Sequence, residues 1–388
     1  MLLNKMKFLS DFKQKDLKGK ICLLRIDLNI LDEDISKDNL RVQAVLPTME
    51  YLIKNGAKVV ILSHRGRPKI SDKRQATSDK KKLSLKPFVK IYEKLLEQHV
   101  EFINFDSVNT IKITESKNNI FLLENLRFFD GEEKNDSRFA KELANLGDIY
   151  INDAFAVSHR ANASVVAITK YLPSYAGLLL ENEIKNLDVA VKNGKHPFVF
   201  IVGGAKISDK IGILESFAGK VDYFLTGGGI AINLFMAQGL PVGDSICEPD
   251  KIEFSKNVLK KYGKKIILPA DVVIDKRKIL DIGPETIKIY SDIIKKAKTI
   301  IWNGPMGQIE IKKFRKGSDE IVRAILNSKA FTVVGGGETA TLFSLKAKNS
   351  KLKANIFIST GGGAMLEYLS GKKLPGIETL KSNKKLKH

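Results

Sequence analysis

The chain has 388 residues, and 65 Lys+Arg against 44 Asp+Glu give a formal charge of +21. Its length predicts two domains, and 43% hydrophobic with 28% charged residues is globular composition, which excludes a disordered chain. Two cysteines exclude a disulfide scaffold, and no apolar run approaches the roughly 20 residues of a membrane span. The N-terminus, MLLNKMKFLSDFKQKDLKGK, breaks into Lys and Asp too early for a signal-peptide apolar region; the two cysteines, Cys22 and Cys247, fit a reducing, cytoplasmic compartment. The positive balance suits nucleic acid, a membrane surface or small polyanions. The lysine runs (Lys80, Lys81, Lys82; Lys384, Lys385, Lys387) carry no interleaved aromatics, and no basic amphipathic helix is visible. They read as solvated faces, and neither nucleic acid nor membrane is the expected partner.

Strand-length apolar runs lie at residues 21–27, 58–63, 120–124 and 149–152. A second series lies at 198–202, 223–226, 265–268, 299–302, 331–334 and 355–359. Helical periodicity separates the runs, which predicts two α/β domains, each a parallel sheet covered by helices on both faces. Between the series, Tyr171-Leu-Pro-Ser-Tyr-Ala-Gly177 reads as a turn. Residues 178–191 read as one connecting helix, with Ile184, Leu187 and Val191 in helical spacing and a domain boundary near residue 190. The stretch 371–388, with Pro375-Gly376 and six lysines, is either a frayed tail or a docked segment.

Ligands of open α/β sheets bind at the carboxyl ends of the strands. The second series runs into Gly203-Gly204-Ala205-Lys206, Thr226-Gly227-Gly228-Gly229, Asn303-Gly304-Pro305-Met306-Gly307, Gly335-Gly336-Gly337-Glu338-Thr339 and Thr360-Gly361-Gly362-Gly363. Each is expected to turn tightly into a helix whose free N–H groups favour phosphate. Five on one edge point to a phosphate-rich ligand. Lys206 and Lys210, four apart, are expected on one face of a helix opening at the glycines; without the glycines they would read as solvated lysines. No Gly-Lys pair precedes Ser or Thr, which excludes a Walker P-loop. Gly335-x-Gly337-x-x-Ala340 matches a dinucleotide fingerprint, but the acidic residue about 20 positions on is missing, which disfavours an oxidoreductase.

The first series ends in Arg25-Ile-Asp27-Leu-Asn29, Ser63-His64-Arg65-Gly66-Arg67-Pro68, Glu124-Asn125-Leu126-Arg127 and Asn152-Asp153-Ala154-Phe155, followed by His159-Arg160. Guanidinium forks gathered at one sheet edge make a cradle for a small anion, and Asp27 and Asn29 could accept from a hydroxyl. Arg25 or Arg65 is expected to make only surface salt bridges, and His64 or His159 could equally be structural. A nucleotide site on one half and an anionic acceptor site on the other suggest a kinase. No carboxylate stands beside a nucleophile, which fits an acceptor that is already ionised and needs no base.

At these residues the chain resembles the phosphoglycerate kinases, from about residue 8 to 377. The matching motifs are RxDxN, SHRGRP, LLENLRF, NDAF with HRA, GGAKxSDKI, TGGG, LPADVV, DIGP, WNGPMG, GGGET, STGGGA and LPGI, in the family's order. The resemblance implies two Rossmann-like domains joined by a connecting helix and hinge. Residues 1–172 would bind 3-phosphoglycerate, 173–190 connect, 191–370 bind nucleotide, and 371–388 return to the N-terminal domain. It implies reversible phosphoryl transfer between 1,3-bisphosphoglycerate and ADP, giving 3-phosphoglycerate and ATP in glycolysis, by a cytoplasmic, Mg²⁺-dependent monomer. Asp27, Asn29, Arg41, His64, Arg67, Arg127 and Arg160 would hold 3-phosphoglycerate. Gly203, Lys206, Lys210, Gly227, Gly228, Asn303, Pro305, Glu310, Gly336, Gly337, Glu338 and Thr339 would hold the nucleotide, with Glu310 at the ribose and Glu338 at the metal. Arg41, Lys206 and Gly362 would serve the transfer itself. Arg41 enters by the resemblance alone, since its segment reads as an ordinary helix start. The chain departs from the family at Glu338 (usually Asp), Ile30-Leu31 (Val-Pro), Gln308-Ile309 (Val-Phe), Asn162 (His) and Ala156 (Gly). Glu338 adds a methylene at the expected metal ligand; none of these changes removes a cradle arginine or lysine.

Overall fold

The computed structural model describes residues 6–12, 14–68, 73–105, 110–208, 210–347 and 355–381, so Asp209 and the lysines at 384, 385 and 387 lie outside it. The chain forms two compact units, Met1–Ile184 with Lys373–His388, and Lys185–Lys372.

In the first unit, β1 (Ile21–Arg25), β2 (Lys58–Leu62), β3 (Val100–Ile103), β4 (Ile120–Leu123), β5 (Ile149–Asn152) and β6 (Ser174–Ala176) form a parallel sheet of order β3-β4-β2-β1-β5-β6. Cys22, Leu24, Val59, Ile61, Ile120, Leu122, Ile149 and Ile151 pack on one face. Leu23, Val60, Leu62, Phe121, Leu123 and Tyr150 pack on the other. Both faces are covered, which is why these strands read as unbroken apolar runs. From the neighbours β1 and β5 the chain leaves in opposite directions, so their carboxyl ends open a crevice between them.

The interval 171–177 is not simply a turn. Ser174–Ala176 is an edge strand, with Tyr150 N–H donating to Pro173 O (2.9 Å) and Ala176 N–H to Lys7 O (3.0 Å). Pro173 is tolerated because it precedes the strand at the sheet edge. The connecting helix runs Leu178–Lys192, and the division between the units falls inside it. Residues 375–381 are docked: Gly376 N–H donates to Ser158 O (2.9 Å), and Ile377 and Leu380 are buried.

In the second unit, β7 (Phe198–Val202), β8 (Tyr223–Thr226), β9 (Ile266–Ile267), β10 (Val272–Asp275), β11 (Lys278–Ile282), β12 (Thr299–Asn303), β13 (Phe331–Gly335) and β14 (Ile356–Ile358) form a sheet and a ribbon. The parallel sheet has the order β14-β13-β12-β7-β8-β9, and β10 and β11 pair antiparallel beside it. Val199, Ile201, Ile300, Trp302 and Val334 fill one face. Phe200 packs with Phe217 and Phe224, ring centroids 5.2 and 6.0 Å away. The chain leaves β12 and β7 in opposite directions, so this sheet too has a crevice at its centre.

Candidate active site

The first crevice gathers the expected acceptor residues. Arg41 is delivered by the short helix Leu40–Ala44, whose Asn39 cap accepts from Arg41 N–H (2.9 Å). Its guanidinium pairs with Asp27 Oδ2 (3.1 Å) and donates to Asn29 O (2.6 Å). Asp27 Oδ1 accepts from Asn29 N–H (2.9 Å), and Asn29 Oδ1 accepts from Gly66 N–H (2.8 Å), so the loops after β1 and β2 are tied together. Gly66 takes φ +63°, a turn that suits glycine there. Arg127 is buried, donating to Gly66 O (2.5 Å) and pairing with Glu133 (3.2 Å). Burial lowers its guanidinium to about 10, so it remains charged at neutral pH. Arg160 is half-buried, and its Nε donates to His159 Nε2 (3.3 Å). Arg67 is exposed and makes no ion pair among the described residues.

Arg25 and Arg65, expected in surface salt bridges, are instead internal, 1% and 2% exposed. Arg65 donates to Ile30 O (2.8 Å) and Lys82 O (2.9 Å) and pairs with Asp32. Arg25 donates from Nε to Ser164 Oγ (2.8 Å) and from Nη1 to Ile26 O, with Nη2 3.0 Å from His64 Nδ1. A guanidinium has more donors than any one partner accepts, so several carbonyls hold each of them inside. His64 is buried, and its Nε2 has no hydrogen-bond partner among the described residues. Burial, then Arg25, Arg127, Arg160 and Arg41, hold its imidazole well below the usual range, so it is neutral.

In the second crevice the glycine turns differ from expectation. Gly228–Ala237, Gly337–Ala347 and Gly363–Leu369 do begin at glycines. After Gly203-Gly204, however, residues 205–208 are not helical and the helix begins only at Ile211 (Ile211–Phe217), so Lys206 and Lys210 do not share a helical face. The loop is held by Gly204 N–H on Pro305 O (3.0 Å) and by Ser208, whose N–H and Oγ donate to Glu248 (2.9 and 2.6 Å). Close approach of neighbouring backbones explains why this edge is so rich in glycine. A Cβ on Gly203 would strike the Pro305 carbonyl, and one on Gly229 the Ala205 carbonyl. Gly227 lies against Met306 in the same way.

Between these loops and the ribbon lies a cavity of about 360 Å³. Gly228, Pro305, Glu310 and Glu338, four of the residues that the resemblance assigns to the nucleotide, line it. Lys210 reaches Asn303 Oδ1, and Asn303 Nδ2 donates to Gly335 O (2.9 Å). Thr339 is buried with its Oγ accepting from Gly304 N–H (3.0 Å), while Gly336 takes φ +96° against Asn303. Lys206 is exposed on the loop, and Gly362, at φ +48°, is the last residue before the helix Gly363–Leu369. Partial desolvation and then the Glu310 charge push the Glu338 carboxyl upward, with Lys210 opposing. Among the described residues no three His, Cys, Asp or Glu side chains gather as a ready-made metal cluster.

Beyond Met306 of the Asn303–Gly307 turn, the motifs do not reveal the cavity's apolar wall, Ile232, Phe235, Ile279 and Leu280. Those positions lie outside the strand runs and glycine turns read from the sequence, and the ribbon that carries two of them turns at Lys276 and Arg277 (φ +43° and +63°) without the Gly or Asn that marks such turns. An apolar slot beside glycine loops and a lysine can hold a flat ring bearing phosphates.

The family model for phosphoglycerate kinase matches residues 11–372. The chain belongs to the phosphoglycerate kinase family. It is 43% identical over 396 residues to the phosphoglycerate kinase of Finegoldia magna, covering 95% of this chain and 98% of that one. The phosphoglycerate kinase structure from Coxiella burnetii superposes with a TM-score of 0.80 at 33% identity, covering 98% of this chain and 100% of that one. That from Pyrococcus horikoshii OT3 gives 0.83 at 32% identity, covering 97% and 98%. As a phosphoglycerate kinase family enzyme, the chain is a phosphotransferase with a carboxyl acceptor, acting between 1,3-bisphosphoglycerate and ADP in glycolysis. No helix among the described residues is long and apolar enough to cross a membrane.

Proposed function

We propose that 3-phosphoglycerate binds in the arginine cradle of the first unit and the nucleotide in the cavity of the second. The observation that carries this reading is the second crevice: glycine loops packed backbone to backbone beside an apolar slot, with Lys210 and Glu338 at its polar side. Arg41, Arg67, Arg127 and Arg160 supply positive forks for the acceptor's phosphate and carboxylate, and Asp27 and Asn29 receive its hydroxyl. The acceptor carboxylate is ionised at neutral pH and attacks without a base, so catalysis is positioning and charge neutralisation. Lys206, exposed on its loop, stabilises the moving phosphoryl group, Lys210 holds nucleotide phosphates, and Gly362 lets the chain approach the ligand closely. Pro305 and the apolar wall take the base, and Glu310 the ribose.

Glu338 suits a hard cation bound through one carboxylate and the nucleotide phosphates, and its upward-pushed carboxyl would be relieved by one. Mg²⁺, when bound, supplies charge neutralisation on the phosphate oxygens. Both cysteines are free thiols, which supports a cytoplasmic setting, and we take the enzyme to act as a monomer. The test is ATP consumption with 3-phosphoglycerate and Mg²⁺, read through a coupled dehydrogenase. Turnover with 3-phosphoglycerate is expected, and no turnover with any nucleotide would overturn the assignment.

A further inference from the structure

Resting on the acceptor site just assigned, we propose that Arg25, Ser164 and Glu132 form a buried positioning relay that fixes His64 as the tautomer protonated on Nε2. The imidazole then presents one aimed donor to the anionic acceptor.

The argument begins with what each atom can do. A guanidinium only donates, so the 3.0 Å contact between Arg25 Nη2 and His64 Nδ1 requires a lone pair on Nδ1. A neutral imidazole then carries its proton on Nε2, the atom left buried without a partner among the described residues. The other tautomer would reverse the interaction at both ends: Nδ1–H would face an N–H, and the Nε2 lone pair would face an anion.

The rest of the relay explains why Arg25 stays where it is. Its Nε donates to Ser164 Oγ (2.8 Å), and Nη1 is taken by Ile26 O. Ser164 in turn donates twice to Glu132, from Oγ to Oε1 (2.6 Å) and from N–H to Oε2 (2.9 Å). Glu132 Oε1 lies 3.7 Å from Arg25 Nη2 and balances its charge. Arg25, His64, Ser164 and Glu132 are each at most 1% exposed, so solvent cannot supply substitute partners. Arg25, Arg127, Arg160 and Arg41 are the charges that face His64, and all four oppose a second proton on the ring. The acceptor therefore meets a neutral donor inside a cationic cradle, throughout the usual histidine range. Glu132 and Ser164 touch neither ligand nor reacting atoms in this scheme; they act through Arg25 and His64.

The test is nitrogen-15 NMR of the histidine rings in the ligand-free enzyme. The chain has five histidines, and a His64→Asn variant assigns the signal. A single Nε2–H tautomer that does not titrate between about pH 5.5 and 8 is expected. An Nδ1–H ring, a mixture, or an imidazolium in that range would overturn the proposal. Ser164→Ala removes the hydroxyl link without leaving a charge unpaired. It should mix the tautomers and raise the 3-phosphoglycerate KM about tenfold, with the ATP KM unchanged within about twofold. Unmixed tautomers, or an unchanged acceptor KM, would each overturn it. Arg25→Met should act more strongly in the same direction. The acceptor-site assignment fails separately: if His64→Asn leaves the 3-phosphoglycerate KM unaltered while the wild-type tautomer is as described, that assignment is wrong and the relay geometry still stands.

Discussion

Arg65 and Arg67 stand two residues apart in one motif, yet one is buried among carbonyls and the other reaches solvent without an ion pair among the described residues. Their substitutions should separate accordingly. Arg67→Ala should leave thermal stability unchanged and raise the 3-phosphoglycerate KM by about tenfold or more, the worth of a charge-assisted hydrogen bond. Arg65→Met should instead cost roughly 2 to 4 kcal/mol of stability, because the Ile30 and Lys82 carbonyls lose their donor. Urea denaturation beside steady-state kinetics checks both, and equal effects on stability would contradict the division. Lys206→Ala should lower kcat far more than either KM, since its charge serves the transition state. A raised nucleotide KM with unchanged kcat would make Lys206 a binding residue only. At this scale the chain shows which residue types gather, because strand ends can be read from apolar runs. It does not show which guanidinium turns inward. Glu132 lies in the acidic stretch Asp130-Gly-Glu-Glu133, which looks solvated, and only its fold against Ser164 makes it internal.

Central strands are legible in the sequence, as are the second sheet's edges at 265–268 and 355–359, whereas the first sheet's edges are not, for one physical reason. A strand covered on both faces must be apolar throughout, as in Phe198–Val202, whereas Val100–Ile103 and Ser174–Ala176 at the sheet edge carry polar or small residues. The ribbon of β10 and β11 lacks a turn signal, and the loop 204–208 resembles a helix start because its hold on Glu248 is distant in sequence. The connecting helix is legible from its period, but its first turn depends on a buried carboxyl. Asp153 Oδ1 accepts from Leu180 N–H (3.0 Å) where a Cβ on Gly177 would crowd it. Burial raises the Asp153 pKa from 3.8 to about 7, against hydrogen bonds from Thr48, Leu180 and Leu179. Since the folded value lies above the unfolded one, the folded state holds the proton more tightly. This contribution to stability is therefore complete below about pH 4 and is lost as pH rises to about 7. Asp153→Asn keeps an acceptor and does not titrate. Relative to wild type it should gain roughly 2 to 3 kcal/mol between pH 5 and pH 8, measured by urea denaturation at both. A pH-independent difference would mean that Asp153 does not titrate in that window.

Each site is built within one unit, the cradle in Met1–Ile184 and the cavity in Lys185–Lys372. The chemistry sets a requirement that neither unit meets alone. In-line transfer needs the acceptor oxygen within about 3 to 3.5 Å of the phosphorus and opposite the leaving oxygen, and water excluded so that the acyl phosphate is not hydrolysed. We therefore expect the two units to close during turnover, turning at the ends of the helix Leu178–Lys192, since the β6 ladder fastens residues 174–176 to β5. A single substrate contacts only its own unit and has little preference for the closed arrangement; both together bridge the units and do. Small-angle scattering should give a smaller radius of gyration with 3-phosphoglycerate and Mg-nucleotide together than with either alone or with neither. Equal radii in all four states would remove closure from the mechanism, and transfer would then require the sites to meet without any rearrangement of the units.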